Sequence, residues 1–284
     1  MSLRELLAKE KAYLAPAVFN PLCAKIAQGA GFEMLYLGGG TLGYVKCGLE
    51  ANLNITELTQ AGIEIRAASD LPLILDGACG FGDPMHMHHV IPLAEAAGFA
   101  AIEIEDQILP KRAHHHIGIE HMIPADLMVA KVREAVSARR SKEFLIIART
   151  NGVRSSNMDD ALRRAEAYRA AGADAIYITP RGAEQMKFVG ERLGAPLMFS
   201  LPGESFRELG LTLEEMAKLG YRILTITSPQ LAFHRAMQQT YQSILAGVPN
   251  PVMGGATRKE EQAALHATLD FDRLIEIEKR TVEK

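Results

Sequence analysis

The side chains best suited to chemistry in this chain lie in residues 101–112. Their sequence, Ala-Ile-Glu-Ile-Glu-Asp-Gln-Ile-Leu-Pro-Lys-Arg, begins as an apolar, β-like run. It then passes through adjacent carboxylate and amide groups to a proline and two cations. Carboxylates at a strand end can hold a hard metal ion, and the two cations can close over an anionic substrate. Three consecutive histidines at positions 114–116 add groups that titrate near neutral pH.

Eight short apolar runs provide the strands that would position these groups. Each is about strand length, is rich in Ile, Leu and Val, and does not alternate, which is typical of strands buried on both faces. The runs are residues 13–18, 34–37, 71–75, 101–104, 144–148, 175–178, 196–199 and 222–226. Helix-like segments lie between them, such as residues 159–171 with one apolar stripe and residues 213–219, which follow a capping-box pattern.

Eight strand–helix units predict a (β/α)8 TIM-type barrel. A doubly wound sheet is the alternative, but it would have fewer strands and a glycine-rich dinucleotide loop after the first. Residues 19–24 contain no such loop. We therefore expect a barrel over residues 1–230. Residues 231–284 exceed what a barrel needs, and they predict a helical extension that packs on a neighbouring subunit or across the barrel mouth.

Composition and net charge limit the classes of partner that the protein is expected to bind. A formal net charge of −3 over 284 residues gives no argument for nucleic acid or an anionic membrane as a partner. No apolar run is long enough to span a bilayer. The three cysteines, Cys23, Cys47 and Cys79, form neither a zinc pattern nor a disulfide framework. They suit a reducing cytosol, so we expect a cytoplasmic protein with no nucleic-acid or membrane partner.

Polar residues at the carboxyl ends of barrel strands are expected to form the active site. The second strand ends in Gly38, Gly39 and Gly40, followed by Thr41. In the later strands the corresponding positions are Asp76, Glu105-Asp106-Gln107, Arg149-Thr150-Asn151, Thr179-Pro180-Arg181 and Ser200. Two carboxylates, a cation and a glycine-lined floor are therefore predicted to converge.

These motifs resemble the isocitrate lyase / phosphoenolpyruvate mutase superfamily over nearly the whole chain. The matching pieces are Tyr-Leu-Gly-Gly-Gly from Tyr36, Leu-Asp-Gly-Ala-Cys-Gly-Phe-Gly at 75–82, Ile-Glu-Asp-Gln-Ile-Leu-Pro-Lys-Arg at 104–112, Ile-Ala-Arg-Thr-Asn at 147–151, Ala-Gly-Ala-Asp-Ala-Ile at 171–176, Ala-Lys-Leu-Gly-Tyr-Arg-Ile at 217–223 and Arg-Ala-Met at 235–237. The resemblance implies a barrel with C-terminal helices exchanged between subunits, a homotetramer, and Mg²⁺ or Mn²⁺. It also implies cleavage beside a 2-oxo or 2-hydroxy carboxylate, as in methylisocitrate lyase, dimethylmalate lyase or oxaloacetate decarboxylase.

The resemblance makes Asp76 and Glu105 the candidate metal ligands. The family pattern Asp-x-Asp at the third strand is broken by Ala78, and a family aspartate after the second strand is replaced by Glu50 or Asn52. Magnesium keeps several waters and needs only one or two carboxylates plus substrate oxygens, so these changes are compatible with a magnesium site. A loop cap is the alternative role for Asp76.

The loop after the fourth strand departs further from the family. Lyases of the family carry Lys-Lys/Arg-Cys-Gly-His, in which the cysteine protonates the product carbanion, whereas this chain has Ala113 in its place. We expect Lys111 to be catalytic, with either His114 or His115 as the acid or base. A solvated histidine loop is the plain alternative. A zinc site including His86, His88 and His89 is a third possibility, although its spacing matches no common zinc motif.

The remaining candidates would bind substrate. Arg149 can grip a carboxylate through two parallel hydrogen bonds. The three glycines can offer backbone N–H groups to an oxyanion. Tyr36, Arg112 and Asn151 complete the set by their place in the family motifs. Thr179 and Ser200 stand where family lyases have glutamate and asparagine, so the substrate groups bound there must differ.

The sequence therefore predicts a Mg²⁺-dependent carbon–carbon lyase acting on a small 2-hydroxy or 2-oxo di- or tricarboxylate. Two alternatives stay open. One is a phosphonopyruvate-type mutase or hydrolase. The other is a family member that binds carboxylates but has lost catalysis, which the replacements Ala78, Ala113, Asn151 and Thr179 would suit.

Overall fold

The computed structural model describes residues 1–201 and 206–283, with only the backbone described at residue 206. Its eight strands are β1 (Tyr13–Pro16), β2 (Leu35–Leu37), β3 (Leu73–Asp76), β4 (Ala101–Glu105), β5 (Leu145–Thr150), β6 (Ala175–Ile178), β7 (Leu197–Ser200) and β8 (Tyr221–Ile226). Every one of them falls on one of the apolar runs of the sequence.

The strands form one parallel sheet in the order β1-β8-β7-β6-β5-β4-β3-β2. Its two edges approach each other, because Ala17 bridges to Tyr36 in parallel and the Val18 N–H donates to the Tyr36 carbonyl at 2.9 Å. This nearly closed ring of eight parallel strands with flanking helices confirms the predicted (β/α)8 barrel. All strand ends that carry polar residues consequently point to the same rim.

The helices follow the strands around the outside. They are α1 (Leu3–Leu7), α2 (Pro21–Gly29), α3 (Gly39–Val45), α4 (Ile55–Ala68), α5 (Met87–Ala96), α6 (Ala125–Ala138), α7 (Gly152–Ser155), α8 (Met158–Ala170), α9 (Gly182–Leu193), α10 (Leu213–Lys218), α11 (Pro229–Ala246), α12 (Arg258–Thr268) and α13 (Phe271–Thr281). The expected capping box starts α10, where the Thr212 hydroxyl accepts from the Glu215 N–H at 3.1 Å and the Glu215 carboxylate accepts from the Thr212 N–H.

Two separate apolar cores hold the barrel. One lies between strands and helices, and on β4 it takes Ile102 and Ile104. The other fills the barrel interior and takes Ala101 of the same strand, together with apolar residues of α1 that close the amino-terminal end. Because successive strand residues face opposite sides, Glu103 and Glu105 share the inward face of Ala101. The barrel thus directs two carboxylates of one strand towards its axis.

The C-terminal helices differ from the barrel in having almost no buried surface. None of the residues of α12 or α13 is buried, and α11 buries only Ser243. Apolar side chains of α11, including Leu231, Phe233 and Leu245, are exposed. The boundary predicted at residue 230 lies in the first turn of α11. Across the described part of the chain, no helix is both long enough and apolar enough to cross a membrane.

Candidate active site

A cavity of about 200 Å³ opens at the carboxyl ends of the strands. It is smaller than a drug-sized ligand pocket and suits a small metabolite. Polar and aromatic side chains from β2, β3, β5, β6 and β7 meet there with the loop after β4. The lining residues are Tyr36, Gly38, Gly40, Thr41, Tyr44, Glu50, Asp76, His115, His116, Arg149, Tyr177, Ser200, Thr227 and Gln230.

Asp76 ends β3 and is fixed by backbone contacts on both of its oxygens. Oδ2 accepts from the Gly39 N–H at 3.1 Å, and Oδ1 accepts from the Ala78 N–H at 3.0 Å. These bonds aim the carboxylate into the cavity, of which Asp76 is a lining residue. They also occupy the Gly39 N–H, so of the three glycines only Gly38 and Gly40 reach the cavity wall.

Lys111 lies buried between two carboxylates. Its Nζ donates to Glu50 Oε1 at 2.6 Å and also contacts Glu105 Oε1. The second oxygen of Glu105 accepts from Asn151 Nδ2 at 2.9 Å. Burial opposes the charge on Lys111, but Glu105 and Glu50 together raise its pKa. Lys111, one of the two cations expected to close over a substrate, is therefore held as an ammonium inside the site.

Arg149 connects a second buried carboxylate to the cavity. Its Nη1 donates to Glu103 Oε1 at 2.9 Å, and Glu103 Oε2 accepts from the Tyr36 hydroxyl at 2.9 Å. The guanidinium lies over the ring of Tyr177, 4.6 Å from its centroid, and its Nε is 3.4 Å from Glu105 Oε2. The arginine is thus oriented from below while it lines the cavity.

Acidic side chains outnumber basic ones in this cluster. Four acidic side chains (Glu50, Asp76, Glu103, Glu105) face two basic ones (Lys111, Arg149), so two acidic groups have no basic partner to balance them. This excess of acidic groups affects their pKa values. Burial and the neighbouring Asp76 raise the pKa values of Glu50 and Glu103 to about 8. Burial acts the same way on Glu105, but Lys111 and Arg149 outweigh it and hold its pKa below the ordinary value.

This excess of acidic groups fits a divalent cation. Two buried carboxyls that resist ionisation would ionise readily beside a charge of +2. Asp76 reaches the cavity directly, and Glu50 lines it alongside. Among the described residues, no three His, Cys, Asp or Glu side chains converge as a ready metal cluster.

The loop after β4 brings one of its three histidines to a carboxylate. His115 Nδ1 lies 2.8 Å from Glu120 Oε2 and 2.9 Å from Gln107 Nε2. His116 Nδ1 instead contacts the Tyr44 hydroxyl at 2.8 Å. His114 is exposed and stacks loosely on His121, with ring centroids 5.9 Å apart.

The other side of the cavity carries no charge. Tyr177 of β6 is buried, and Ser200 at the end of β7 hydrogen-bonds its hydroxyl. Burial raises the pKa of Tyr177 to about 12, so the phenol stays neutral. Thr179 follows β6, and its hydroxyl is buried without a recorded partner among the described residues.

Comparison with known proteins places the chain in a family. The family profile described as phosphoenolpyruvate phosphomutase matches residues 3–245. The chain belongs to this family. Solved structures of the phosphoenolpyruvate mutase / isocitrate lyase superfamily share its fold. A phosphoenolpyruvate phosphomutase from Streptomyces platensis superposes with a TM-score of 0.87 at 24% identity, covering 99% of this chain and 98% of that one.

Curated relatives in the superfamily are named as lyases and decarboxylases. A 2,3-dimethylmalate lyase of Eubacterium barkeri is 34% identical over 78% of this chain and 77% of its own length. A 2-methylisocitrate lyase of Aeropyrum pernix is 33% identical over 99% and 89%. An oxaloacetate decarboxylase of Chromohalobacter salexigens is 32% identical over 94% and 91%. These names are consistent with a carbon–carbon lyase of this superfamily.

Solved structures with bound ligands share the fold as well. A phosphonopyruvate hydrolase in complex with oxalate and Mg²⁺ superposes with a TM-score of 0.82 at 26% identity, covering 99% of this chain and 98% of that one.

The phosphoenolpyruvate mutase motifs located most of this site. Around the cavity the structure brings together Tyr36, Gly38, Gly40, Asp76, His115 and Arg149. Gly39, Glu105, Lys111 and Asn151 contact them from behind. Arg112 and His114 are exposed and do not line the cavity. The alternative zinc site is not formed by the described residues, because His86 binds the Asp83 backbone and His88 pairs with Glu134.

Sequence reasoning missed Glu103, Tyr177 and Glu120. Glu103 and Tyr177 lie inside apolar runs, where the pattern indicates only a strand. The alternation of side chains along a strand could have found Glu103, because it places Glu103 on the same inward face as Glu105, directly below the strand end. Glu120 carried no such signal, since it is 13 residues from its partner Gln107 in an irregular loop.

Proposed function

We propose that this protein is a Mg²⁺-dependent carbon–carbon lyase, with Mn²⁺ able to replace Mg²⁺, that cleaves a small 2-hydroxy or 2-oxo di- or tricarboxylate. The observation that carries the proposal is an excess of two acidic groups over basic ones beside a guanidinium at one small cavity. The acids would hold a divalent cation, and Arg149 would hold a substrate carboxylate. The names of the curated relatives support the same reaction class.

Asp76 would hold the cation from the cavity wall, with Glu50 beside it. Glu105, the second ligand expected from the sequence, would join them by giving up its contacts with Lys111 and Asn151. When bound, the cation supplies a Lewis acid that stabilises the negative charge developing as the carbon–carbon bond breaks. Arg149 would bind a carboxylate through parallel hydrogen bonds, supported from below by Glu103. Gly38 and Gly40 would allow the substrate to approach the backbone closely at the cavity wall.

Lys111 and the following loop would exclude water. The ammonium neutralises part of the buried acid cluster, and the segment that follows it places His115 and His116 on the cavity. Closing a charged site in this way strengthens every electrostatic interaction inside it. A histidine of the loop would provide the proton that family lyases take from the cysteine missing here.

The same site suits two closely related reactions. Retro-aldol cleavage of a 2-hydroxy acid and decarboxylation of a 3-carboxy-2-oxo acid both leave a carbanion next to a carboxylate or carbonyl group. A phosphonopyruvate-type hydrolase is the second candidate, favoured by the likeness to a hydrolase bound to oxalate and Mg²⁺. A carboxylate-binding protein without turnover is the third, favoured by the replacements Ala78 and Ala113.

An assay panel separates these candidates. Purified protein would be stripped of metal and incubated with 2-methylisocitrate, 2,3-dimethylmalate, oxaloacetate and phosphonopyruvate, each with and without Mg²⁺ or Mn²⁺. Metal-dependent release of a 2-oxo acid from one of the first three supports the proposal. Release of phosphate from phosphonopyruvate alone would favour the hydrolase. Calorimetric binding of oxalate without turnover of any panel member would show a binding protein.

We also propose a homotetramer in which the C-terminal helices are exchanged. The apolar side chains exposed on α11 support this, since Leu231, Phe233 and Leu245 would be covered by a second copy. Light scattering should give four times the 31.0 kDa of one chain. A monomer at micromolar concentration would contradict it. A cytoplasmic location is proposed from the three free cysteines, which suit a reducing compartment.

A further inference from the structure

The three histidines of the loop are not equivalent, because only His115 contacts a carboxylate. The Glu120 side chain has no exposed area and lies 2.8 Å from His115 Nδ1 through Oε2. Its other oxygen, Oε1, lies 2.8 Å from Nη2 of Arg154. Interactions with His115 and Arg154 outweigh burial and lower the pKa of Glu120, so it is ionised at neutral pH.

The hydrogen bonds around His115 determine where its ring proton lies. Gln107 Nε2 is close to Glu105 Oε2 at 3.3 Å and also to Glu120 Oε2, and both of these oxygens only accept. The amide nitrogen is therefore correctly placed as the donor. The two carboxylates use both hydrogens of the Gln107 amide, so Gln107 does not donate to His115 Nδ1, although the two nitrogens lie 2.9 Å apart. The Glu120 carboxylate can only accept, so its hydrogen bond with His115 requires a hydrogen on Nδ1. Its second nitrogen, Nε2, is then the one that exchanges a proton.

The other two histidines lack this arrangement. Burial lowers the pKa of His116, and its recorded ring contact is the neutral Tyr44 hydroxyl. Imidazolium is therefore a minor form of His116 at neutral pH. His114 is exposed and is not a lining residue of the cavity. His115 lines the cavity together with Asp76 and Arg149.

We propose that Glu120 is a positioning residue that makes His115 the catalytic acid, with Gln107 and Arg154 holding the carboxylate in place. This inference rests on the proposed lyase function and names the proton donor of that site. A histidine held by a carboxylate, which other side chains hold in turn, has the arrangement of the histidine and carboxylate in a catalytic triad. Gln107 belongs to the motif at 104–112, whereas Glu120 and Arg154 stand outside the sequence motifs that identify the family.

The step balances with one proton. Cleavage of the carbon–carbon bond leaves its electron pair on the carbon next to the departing product's carboxylate. The Nε2–H bond of imidazolium His115 breaks, the proton joins that electron pair in a new C–H bond, and His115 becomes neutral. The hydrogen on Nδ1 stays bonded to Glu120 throughout. The proton lost by the substrate hydroxyl, or one from solvent after decarboxylation, restores the imidazolium.

Several charged groups act on His115 and set the sign of the test. Glu120 is the closest charged group, 2.8 Å from His115 Nδ1. Glu105 lies on the other side of Gln107 and pairs with Lys111, and the ring centroids of His115 and His116 are 5.6 Å apart. Arg154 acts through Glu120. Replacing the closest carboxylate by an amide removes the strongest favourable contact. The limb of the pH profile in which the acid loses its proton should then move to lower pH.

The test compares Glu120→Gln with Glu120→Asp and Glu134→Gln. Glu134 is a matched control, since it pairs with His88 at 2.7 Å in an exposed position away from the cavity. We expect Glu120→Gln to lower kcat about 10- to 100-fold with KM changed less than about 2-fold. Glu120→Asp should recover part of the loss, and Glu134→Gln should match the wild type. Equal kcat in Glu120→Gln and wild type, or an unshifted pH profile, would overturn the proposal.

A second measurement does not depend on turnover. Nitrogen-15 spectra of histidine-labelled protein should show the His115 ring with its hydrogen on Nδ1, and Glu120→Gln should shift it towards the other tautomer. His115→Gln identifies the signal. A wild-type ring that carries its hydrogen on Nε2 would refute the positioning role. If no panel substrate is turned over while the spectra agree, the lyase function fails and the orientation of His115 stands.

Discussion

The two sides of the barrel mouth differ in chemistry although they share one backbone architecture. On the side of β3, β4 and β5, the inward positions near the rim hold Asp76, Glu105 and Arg149. On the side of β6 and β7, they hold Tyr177 and Ser200, which carry no charge. The strands are equally well formed, so the difference comes from the side chains alone.

This contrast indicates a division of labour. Charges are costly to bury unless they pair with each other or with a ligand, and the charged side has two more acidic than basic groups. It is therefore the side expected to hold the cation and the reacting carboxylate. The uncharged side can only shape the space for the remaining part of the substrate. Changes on the first side should abolish the reaction, whereas changes on the second should alter which substrate is preferred.

The sharpest test of the charged side is Asp76→Asn. The amide keeps the shape of the side chain and one acceptor for the backbone N–H groups of Gly39 and Ala78, but it removes a metal-binding charge. We expect kcat/KM to fall about 1,000-fold or more and Mg²⁺ binding to weaken in calorimetry. Asp70→Asn, an exposed change at the opposite end of the barrel, is the control. Full activity in Asp76→Asn would remove the proposed metal site.

A second change, Arg149→Lys, keeps the positive charge but removes the planar guanidinium group. Lysine cannot make two parallel hydrogen bonds to a carboxylate, and it would release Glu103 from its 2.9 Å contact. We expect a loss of about 100-fold in kcat/KM that is the same for every substrate turned over. A loss confined to one substrate would mean that Arg149 binds a distinguishing group and not the shared carboxylate.

The third change tests whether Lys111 competes with the cation. Its ammonium lies between Glu50 and Glu105, so Lys111→Met removes one positive charge from the acidic cluster. We expect Mg²⁺ to bind about 10-fold more tightly in calorimetry while kcat falls about 10-fold. Arg112→Met makes the same charge change on an exposed neighbour, where solvent screens it. Equal effects of both variants on metal affinity would show that Lys111 acts through long-range electrostatics and not through its contacts with Glu50 and Glu105.

The barrel and most of the charged side could be predicted from the sequence, because both depend on local sequence patterns. Apolar runs buried on both faces gave all eight strands, and the residues just after each run gave Asp76, Glu105 and Arg149. Glu103 was not predicted as a site residue, because a single acidic residue inside an apolar run does not change the strand pattern. Its role depends on the neighbouring strands, which place Tyr36 and Arg149 on its two oxygens.

Contacts between loop residues could not be predicted from local sequence patterns. Glu50 meets Lys111 across 61 residues, and Glu120 meets Gln107 because the chain turns back after β4 and bridges Gln107 to Met122. Such pairs depend on how an irregular segment folds over the rim. The sequence could identify the loop as chemically important, but it left open which histidine faces the cavity.

The fourth prediction concerns stability and pH on the charged side. Glu50 and Glu103 keep their protons in the folded protein up to about pH 8, compared with 4.5 as the ordinary value. The folded state therefore binds more protons than the unfolded state between these values, and its stability falls as pH rises through that window. Calorimetry of metal-free protein should show Tm lower by several degrees at pH 8.5 than at pH 5.5.

Magnesium and one variant give the controls for that effect. A bound divalent cation would offset the ionised carboxylates, so added Mg²⁺ should raise Tm more at pH 8.5 than at pH 5.5. Glu50→Gln mimics the protonated acid and should flatten the pH dependence. A slope unchanged in that variant would assign the pH dependence to other groups.

The smallest effect is expected on the uncharged side, from Ser200→Ala. The change removes a hydroxyl that bonds the buried Tyr177 and leaves every charge in place. We expect kcat/KM for the preferred substrate to change less than about 5-fold. The ratio between two substrates that differ by one methyl group should change about as much, because such groups are discriminated by only about 1–3 kcal/mol in apolar pockets. Steady-state kinetics on 2-methylisocitrate and isocitrate would measure it. If Ser200→Ala instead lowered kcat as strongly as Arg149→Lys and equally for both substrates, the uncharged side would take part in the reaction itself, and the division between the two sides would be wrong.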